Sequence, residues 1–128
     1  MIVAGVGFRR SVEADEIVAL VEQALERAAL ARNALSRLAT IEALASLPAF
    51  TEAARRLDVV TIAVVQTALS ATAPYVRTQS ARSIAAHGVG SVAEAAALAA
   101  SGPHSKLILE RISSASATCA LARSEIGS

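Results

Sequence analysis

Short β-branched runs alternate along this chain with longer segments of helical period, and that alternation restricts the fold more than any single motif does. Ile2 to Val6 is apolar and rich in β-branched residues. Gly5, Gly7 and the Arg9-Arg10 pair close it as a buried strand ending in a turn. From Glu13 onward Ile17, Leu20, Val21, Ala24, Leu25 and Ala28 recur at three- and four-residue steps, with Glu16, Glu22, Gln23, Glu26 and Arg27 between them. That spacing predicts a helix with one face on a core. Ser11 is the expected N-cap, and Glu13 and Asp15 stand where carboxylates favour the positive end of a helix.

The alternation continues. Leu38 to Ile41 reads as a second strand, Pro48 opens a helix that runs to Leu57, and Asp58 marks its break. Val59 to Ala63 is the clearest β-branched run, and Val64 to Ser70 turns helical. Thr72 to Gln79, with Pro74, reads as a surface loop, and Ala81 to Ala86 as a short helix stopped at Gly88. Ser91 and Glu94 have capping-box spacing before a helix whose Val92, Ala95, Ala96 and Ala99 form a small-residue face ending at Gly102-Pro103. Leu107 to Glu110 and Ala117 to Leu121 complete the set as strands joined through Ser113-Ser114. The order βαβαβααββ predicts an α/β fold. Its form is a three-layer α/β/α sandwich with a mostly parallel sheet of about five strands and a C-terminal antiparallel hairpin. Continuous apolar runs imply strands covered on both sides, which places Ile2–Val6 and Val59–Ala63 inside the sheet. No internal repeat is present, and residues 1–128 are expected to form a single domain.

Composition limits function. Twelve basic residues stand against eleven acidic ones, a formal net charge of +1, so bulk charge gives no case for nucleic acid or an anionic membrane. The apolar fraction is 54%, mostly alanine and valine, but charged residues interrupt each long run before it reaches the length of a bilayer-spanning helix. MIVAGVG passes straight into Phe8, Arg9 and Arg10, without the layout of a signal peptide. The single cysteine, Cys119, cannot form an internal bridge, and no Cys/His cluster has metal-ligand spacing. The expectation is a soluble cytoplasmic protein that needs no metal and no cofactor.

The most informative local feature is GVGFRRS, Gly5 through Ser11. Two glycines let a ligand approach the main chain, and amides at the start of a following helix would face outward. Arg9 and Arg10 add forked donors for carboxylate or phosphate. A dinucleotide fingerprint would need a third glycine, where Ser11 and Val12 stand instead, and the same pattern also serves a tight β-to-α turn with two solvated arginines. Gly90, Ser91 and Glu94 mark a second helix start that could hold another carboxylate, although capping chemistry alone explains the spacing. Glu42 follows a strand end and is either a third member of the cleft or a solvated first-turn carboxylate. Because βα loops share one edge in such folds, Gly7, Ser91 and Glu42 are expected to converge there. His87, His104, Ser113, Ser114 and Ser116 lack neighbours that would make them ligands or nucleophiles, and Cys119 reads as packed.

Several of these blocks together resemble a known family, the CobE proteins and the C-terminal domain of CbiG, which act in cobalamin biosynthesis. The resemblance rests on Gly5-Val-Gly-Phe-Arg-Arg10, Leu38-Ala-Thr-Ile-Glu42, Gly88-Val-Gly-Ser-Val-Ala-Glu-Ala-Ala-Ala-Leu98, Leu107 to Arg111 and Ala117 to Arg123. Phe8 and Ser11 stand where the family usually has cysteine and glycine, so no role for that thiol carries over. The lysine that usually follows Glu42 is absent, and Arg111 stands near the place of another family lysine. The resemblance implies a corrin-ring precursor as the small-molecule partner, with other enzymes of the same route as further candidate partners. The resemblance adds Arg111 to the candidates read from the residues, so the candidate ligand-binding set is Gly5, Gly7, Arg9, Arg10, Glu42, Gly90, Ser91, Glu94 and Arg111. The chain lacks the N-terminal portion of full-length CbiG, which favours a CobE-like binding or auxiliary role over ring-A lactone opening. A small enzyme and a protein-interaction module are the other two readings.

Overall fold

The computed structural model describes residues 1–124 of the 128-residue chain. Ten regular elements follow one another: β1 (Ile2–Phe8), α1 (Ala14–Arg27), β2 (Leu35–Ile41), α2 (Pro48–Leu57), β3 (Val60–Val64), α3 (Gln66–Ala71), α4 (Ala81–His87), α5 (Val92–Ser101), β4 (Ser105–Ser113) and β5 (Ala117–Ser124). The strands form one sheet in the order β3-β2-β1-β5-β4. β1, β2 and β3 are parallel, and β5 runs antiparallel to both β1 and β4. The α/β three-layer reading of the sequence therefore holds, hairpin included.

The two-residue period of β1 builds both interfaces at once. Ile2, Ala4 and Val6 join α1 and α2 in a cluster that includes Ile17, Val21, Phe50 and Leu57. Val3 joins the opposite cluster with Ala39, Ile41, Leu69, Val92, Ala95 and Ala96, under α3 and α5. Ala93, Ala97 and Leu98 continue that face over Leu107, Ala120 and Ala122. The small side chains of α5 let the helix lie very close to the sheet. A Cβ on Gly5 would stand 2.1 Å from the Ala93 carbonyl oxygen and 2.5 Å from the Ala97 nitrogen. Gly5 is thus required by a helix that passes over it. This corrects its reading as a point of ligand approach.

Three further expectations change. Val60–Val64 is an edge strand, paired on one side only, and Val60 is 60% exposed. Its β-branched run reflects strand propensity without the burial on both faces that was inferred from it. The N-cap of α1 is Glu13 rather than Ser11, with no side-chain cap bond. Val12 is buried with Ile17 in the same cluster, at the two positions of a hydrophobic staple that fixes how the chain enters the helix. Arg9 and Arg10 therefore belong to a turn closed by the Val12 N–H donating to the Arg9 carbonyl at 3.0 Å, and do not immediately precede helical amides. Asp58 ends α2 in the left-handed conformation, as its break predicted.

Among the described residues no single helix is long and apolar enough to cross a membrane; α4 and α5 pass that test only as a pair bent by 59°, and α5 is a core helix buried from Val92 through Leu98.

Candidate functional site

The reversal in connection order creates a crevice. The chain leaves β1 through α1 toward β2 on one side, while α5 on the other face leads to β4 beyond β5, so the carboxyl end of β1 lies where the connections diverge. An open cleft of about 360 Å³ occupies this place. Its wall on the β1 side is Gly7, Phe8 and Arg9; α4 contributes Arg82, Ser83, Ala86 and His87; Arg111, Ser113 and the tip from Ser114 to Thr118 come from the β4–β5 hairpin. Leu44 and Val92 complete the apolar part. Phe8 is held in place by stacking on Phe50, with ring centroids 6.0 Å apart.

Charge in the cleft is one-sided. Arg9, Arg82 and Arg111 line it, and no aspartate or glutamate among the described residues does. Elsewhere four arginines are ion-paired: Arg32 with Glu22, Arg55 with Glu52, Arg56 with Asp15 and Arg77 with Glu110. Among the described residues no carboxylate pairs with the three cleft guanidiniums.

Two buried or half-buried carboxylates shape the cleft from outside it. Glu94 is 0% exposed and accepts from the Arg77 N–H at 2.7 Å, the Thr78 N–H at 3.0 Å, the Thr78 hydroxyl at 2.5 Å and the Arg111 N–H at 2.9 Å. The Arg111 donor is available because the β4–β5 register slips between Leu109 and Ile112. Burial alone would raise the Glu94 carboxyl. The bonds from the Thr78 hydroxyl, the Arg111 N–H and the Thr78 and Arg77 N–H groups outweigh it and hold the group below its ordinary value. Glu94 is therefore a clamp joining the 77–78 segment, α5 and β4, and its carboxylate is spent there. Ser91 caps α5 by accepting from the Glu94 N–H at 3.2 Å, the one half of the capping box that forms.

Glu16 does the same for the hairpin tip. It accepts from the Ser114 hydroxyl and from the Ser116 N–H at 2.6 Å, and these two bonds, in that order, lower its pKa against a small opposing effect of burial. The Arg9 N–H donates to the Ser116 carbonyl at 2.9 Å, so β1, α1 and the hairpin meet at the cleft rim.

Of the nine residues singled out from sequence, Gly7, Arg9 and Arg111 line the cleft. Gly7 lies beside the start of α5, where a Cβ would stand 3.4 Å from that of Val92, so the two expected loops do share one edge. Ser91 and Glu94 lie just behind the wall as cap and clamp. Gly90 packs against the Thr78 carbonyl, where a Cβ would come within 2.2 Å, and Gly5 lies under α5. Glu42 is exposed at the end of β2, and only its neighbour Leu44 reaches the cleft. Arg10 is exposed in the turn and does not line it. Sequence reasoning missed Arg82, His87 and Glu16. A signal for Arg82 existed: Thr78, Gln79, Ala85 and Ala86 occupy its helical neighbour positions, so no acid is placed to neutralise it. Cys119 is fully buried, which pushes its thiol up to about 12, and no group of three or more His, Cys, Asp or Glu able to hold a metal occurs among the described residues.

A mixed five-stranded sheet between helical layers, with a crevice lined by arginines at its switch point, defines a small three-layer α/β class of domain. Comparison with known proteins makes the assignment specific. Residues 2–122 match the family described as Cobalamin synthesis G C-terminus, and the chain belongs to that family. It is 37% identical to Protein CobE from Sinorhizobium sp over 121 residues, which cover 94% of this chain and 79% of that protein. A crystal structure of CobE, described as a protein from the cobalamin (vitamin B12) biosynthetic pathway, superposes with a TM-score of 0.90 at 31% identity, over 96% of this chain and 89% of that one. The cobalamin biosynthesis protein chiG from Agrobacterium tumefaciens gives 0.77 at 31% identity, over 98% and 99%. A putative cobalamin biosynthesis protein G homolog from Sulfolobus solfataricus gives 0.75 at 30%, over 97% of this chain but 37% of that longer one. The chain is a protein of cobalamin biosynthesis.

Proposed function

We propose that this protein binds an acidic corrin-ring precursor in the cleft at the carboxyl end of β1 and serves as its carrier or auxiliary rather than as an independent catalyst. The observation that carries this reading is the set of three unpaired guanidiniums, Arg9, Arg82 and Arg111, around a cleft without an acid among the described residues. A corrin precursor is apolar across its conjugated face and fringed with carboxylates. Phe8, Leu44, Val92 and Ala117 offer the first a surface, and the arginine forks offer the second two-pronged donors. The carrier form is favoured by how the cleft's hydroxyls are used. Ser83 donates to the Val89 carbonyl and Thr118 to the Gly7 carbonyl, which leaves neither poised toward a base; Ser114 donates to the Glu16 carboxylate, a base that also accepts from the Ser116 N–H and so ties down the hairpin tip.

Titration with a corrin bearing free peripheral carboxylates, followed by absorbance, tests the reading. Arg9→Ala and Arg111→Ala should each weaken binding roughly tenfold to a hundredfold, the scale of a charge-assisted hydrogen bond, with thermal unfolding unchanged. Arg10→Ala, outside the cleft, should bind as the wild type does. Equal affinity in all three variants would remove the arginine cleft as the site. A change in the corrin's mass after incubation would replace the carrier with an enzyme.

A further inference from the structure

Among the described residues four of the five α-helices bury part of their surface, and α4 buries no residue. It nevertheless forms a full wall of the cleft, with Arg82, Ser83, Ala86 and His87 on the lining and its largest apolar side chain, Ile84, 46% exposed. The segments at its two ends are fixed. On one side Arg77 and Thr78 are clamped by Glu94; on the other Val89 is buried and Gly90 lies against the Thr78 carbonyl. The Ser80 N–H donates to the Gly90 carbonyl at 3.0 Å and stitches these ends together. Between them the Ser83 hydroxyl bonds to the Val89 carbonyl, a contact within the segment. Among the described residues, the one hydrogen bond reaching α4 from outside residues 80–90 is from exposed Gln66 Nε2 to the His87 carbonyl at 2.9 Å. Gly88, at φ +77, supplies a left-handed pivot after the helix.

We propose that α4 is a hinged lid and that Arg82 is the specificity contact it carries, closing on a peripheral carboxylate of a polyanionic ligand. The proposal rests on the cleft being the corrin-precursor site. The physics is a change of sign. With the cleft empty, Arg82 shares it with two other unpaired cations, Arg9 and Arg111, and the least buried wall is the one that yields to their repulsion. A carboxylate among them turns repulsion into attraction, and the same wall is drawn in. Arg9 and Arg111 sit at the end of β1 and on clamped β4, so they form the fixed half of the site. Arg82 then selects ligands that carry an anionic group at the α4 side.

The test combines hydrogen exchange and titration on the full chain, with a corrin bearing free carboxylates and the same ring fully methyl-esterified as probes. In wild type, the free acid should slow exchange at Ser83 to Gly88 and leave the core of α5 unaltered, and the ester should do neither. Arg82→Ala should bind the free acid roughly tenfold to a hundredfold more weakly and lose the slowing, with unchanged thermal stability because the residue is exposed. Arg82→Lys should fall between, since it restores charge without the fork. Gln66→Ala should speed exchange of α4 in the free protein. Exchange at α4 that ignores the free acid in a wild type that binds it would overturn the lid and leave the arginine cleft standing, as would unaltered affinity in Arg82→Ala. Failure of the wild type to bind the free acid would overturn both.

Discussion

Glu94 shows at the scale of one residue why spacing alone misassigns a role. Three residues after Ser91 it has the position of a capping-box acid, and the Ser91 half of that box does form. Its carboxylate instead collects donors from residues 16 and 17 positions away in both directions, a pattern no local window contains. Glu94→Gln keeps the volume but sets an amide N–H against a buried donor, and should cost about 1–3 kcal/mol of folding stability. The pH dependence has a definite sign. Because the folded carboxyl lies below its ordinary value of 4.5, its contribution is complete above that value and is lost as the pH falls through it toward the folded pKa. Thermal unfolding of wild type and Glu94→Gln should differ most near neutrality and converge below about pH 4.5; a constant gap down to pH 3 would exclude the clamp. Gly5 was misread for a related reason. The sequence shows a glycine near a turn but not that Ala93 and Ala97, about ninety residues later, lie over it.

At the scale of elements, the interiors of strands and helices were legible and their purposes less so. The apolar steps of α1, the proline that opens α2, the left-handed Asp58 and the small face of α5 all appear as the residues require. Edge position was not legible, because Val60–Val64 has the same composition as a buried strand and only its neighbours decide. The β4–β5 hairpin was legible as a hairpin, but its tie to α1 through Glu16 links residues about a hundred positions apart. That tie has a testable consequence. Glu16→Ala should free the Ser114–Ser116 tip, speed exchange of the Ser116 amide and weaken corrin binding severalfold, while α1, whose buried face is untouched, keeps its helix content by circular dichroism. Because both bonds to Glu16 favour its charged form, the same loosening should appear in wild type at acid pH, once the carboxyl is protonated.

For the whole molecule, a net charge of +1 conceals a segregation. Bulk charge gave no case for nucleic acid, yet it also hid the candidate cleft, since four of the acids pair with arginines elsewhere and none lines the cleft with Arg9, Arg82 and Arg111 among the described residues. Arg9 was found because two glycines preceded it, and Arg111 through family resemblance. Arg82, on a short helix far along the chain, became visible only when the fold brought α4 beside β1. Such a cleft should recognise a polyanion by field as well as by contact, and the two respond differently to salt. Unpaired cations in an open cleft are screened over about 10 Å at 0.1 M salt, whereas contact of the ring with Phe8, Leu44 and Val92 is not. Raising salt from about 0.05 M to about 0.5 M should therefore weaken binding of a corrin with free carboxylates by about tenfold or more. Its fully esterified form should bind more weakly at low salt and change little over the same range. Arg111→Ala should bind the free acid with a shallower salt slope than wild type, because one screened charge is gone, while Arg10→Ala should keep the wild-type slope. Parallel slopes for the acid and the ester would mean that the arginines do not read the ligand's charge, and would leave only the apolar wall to account for any binding observed.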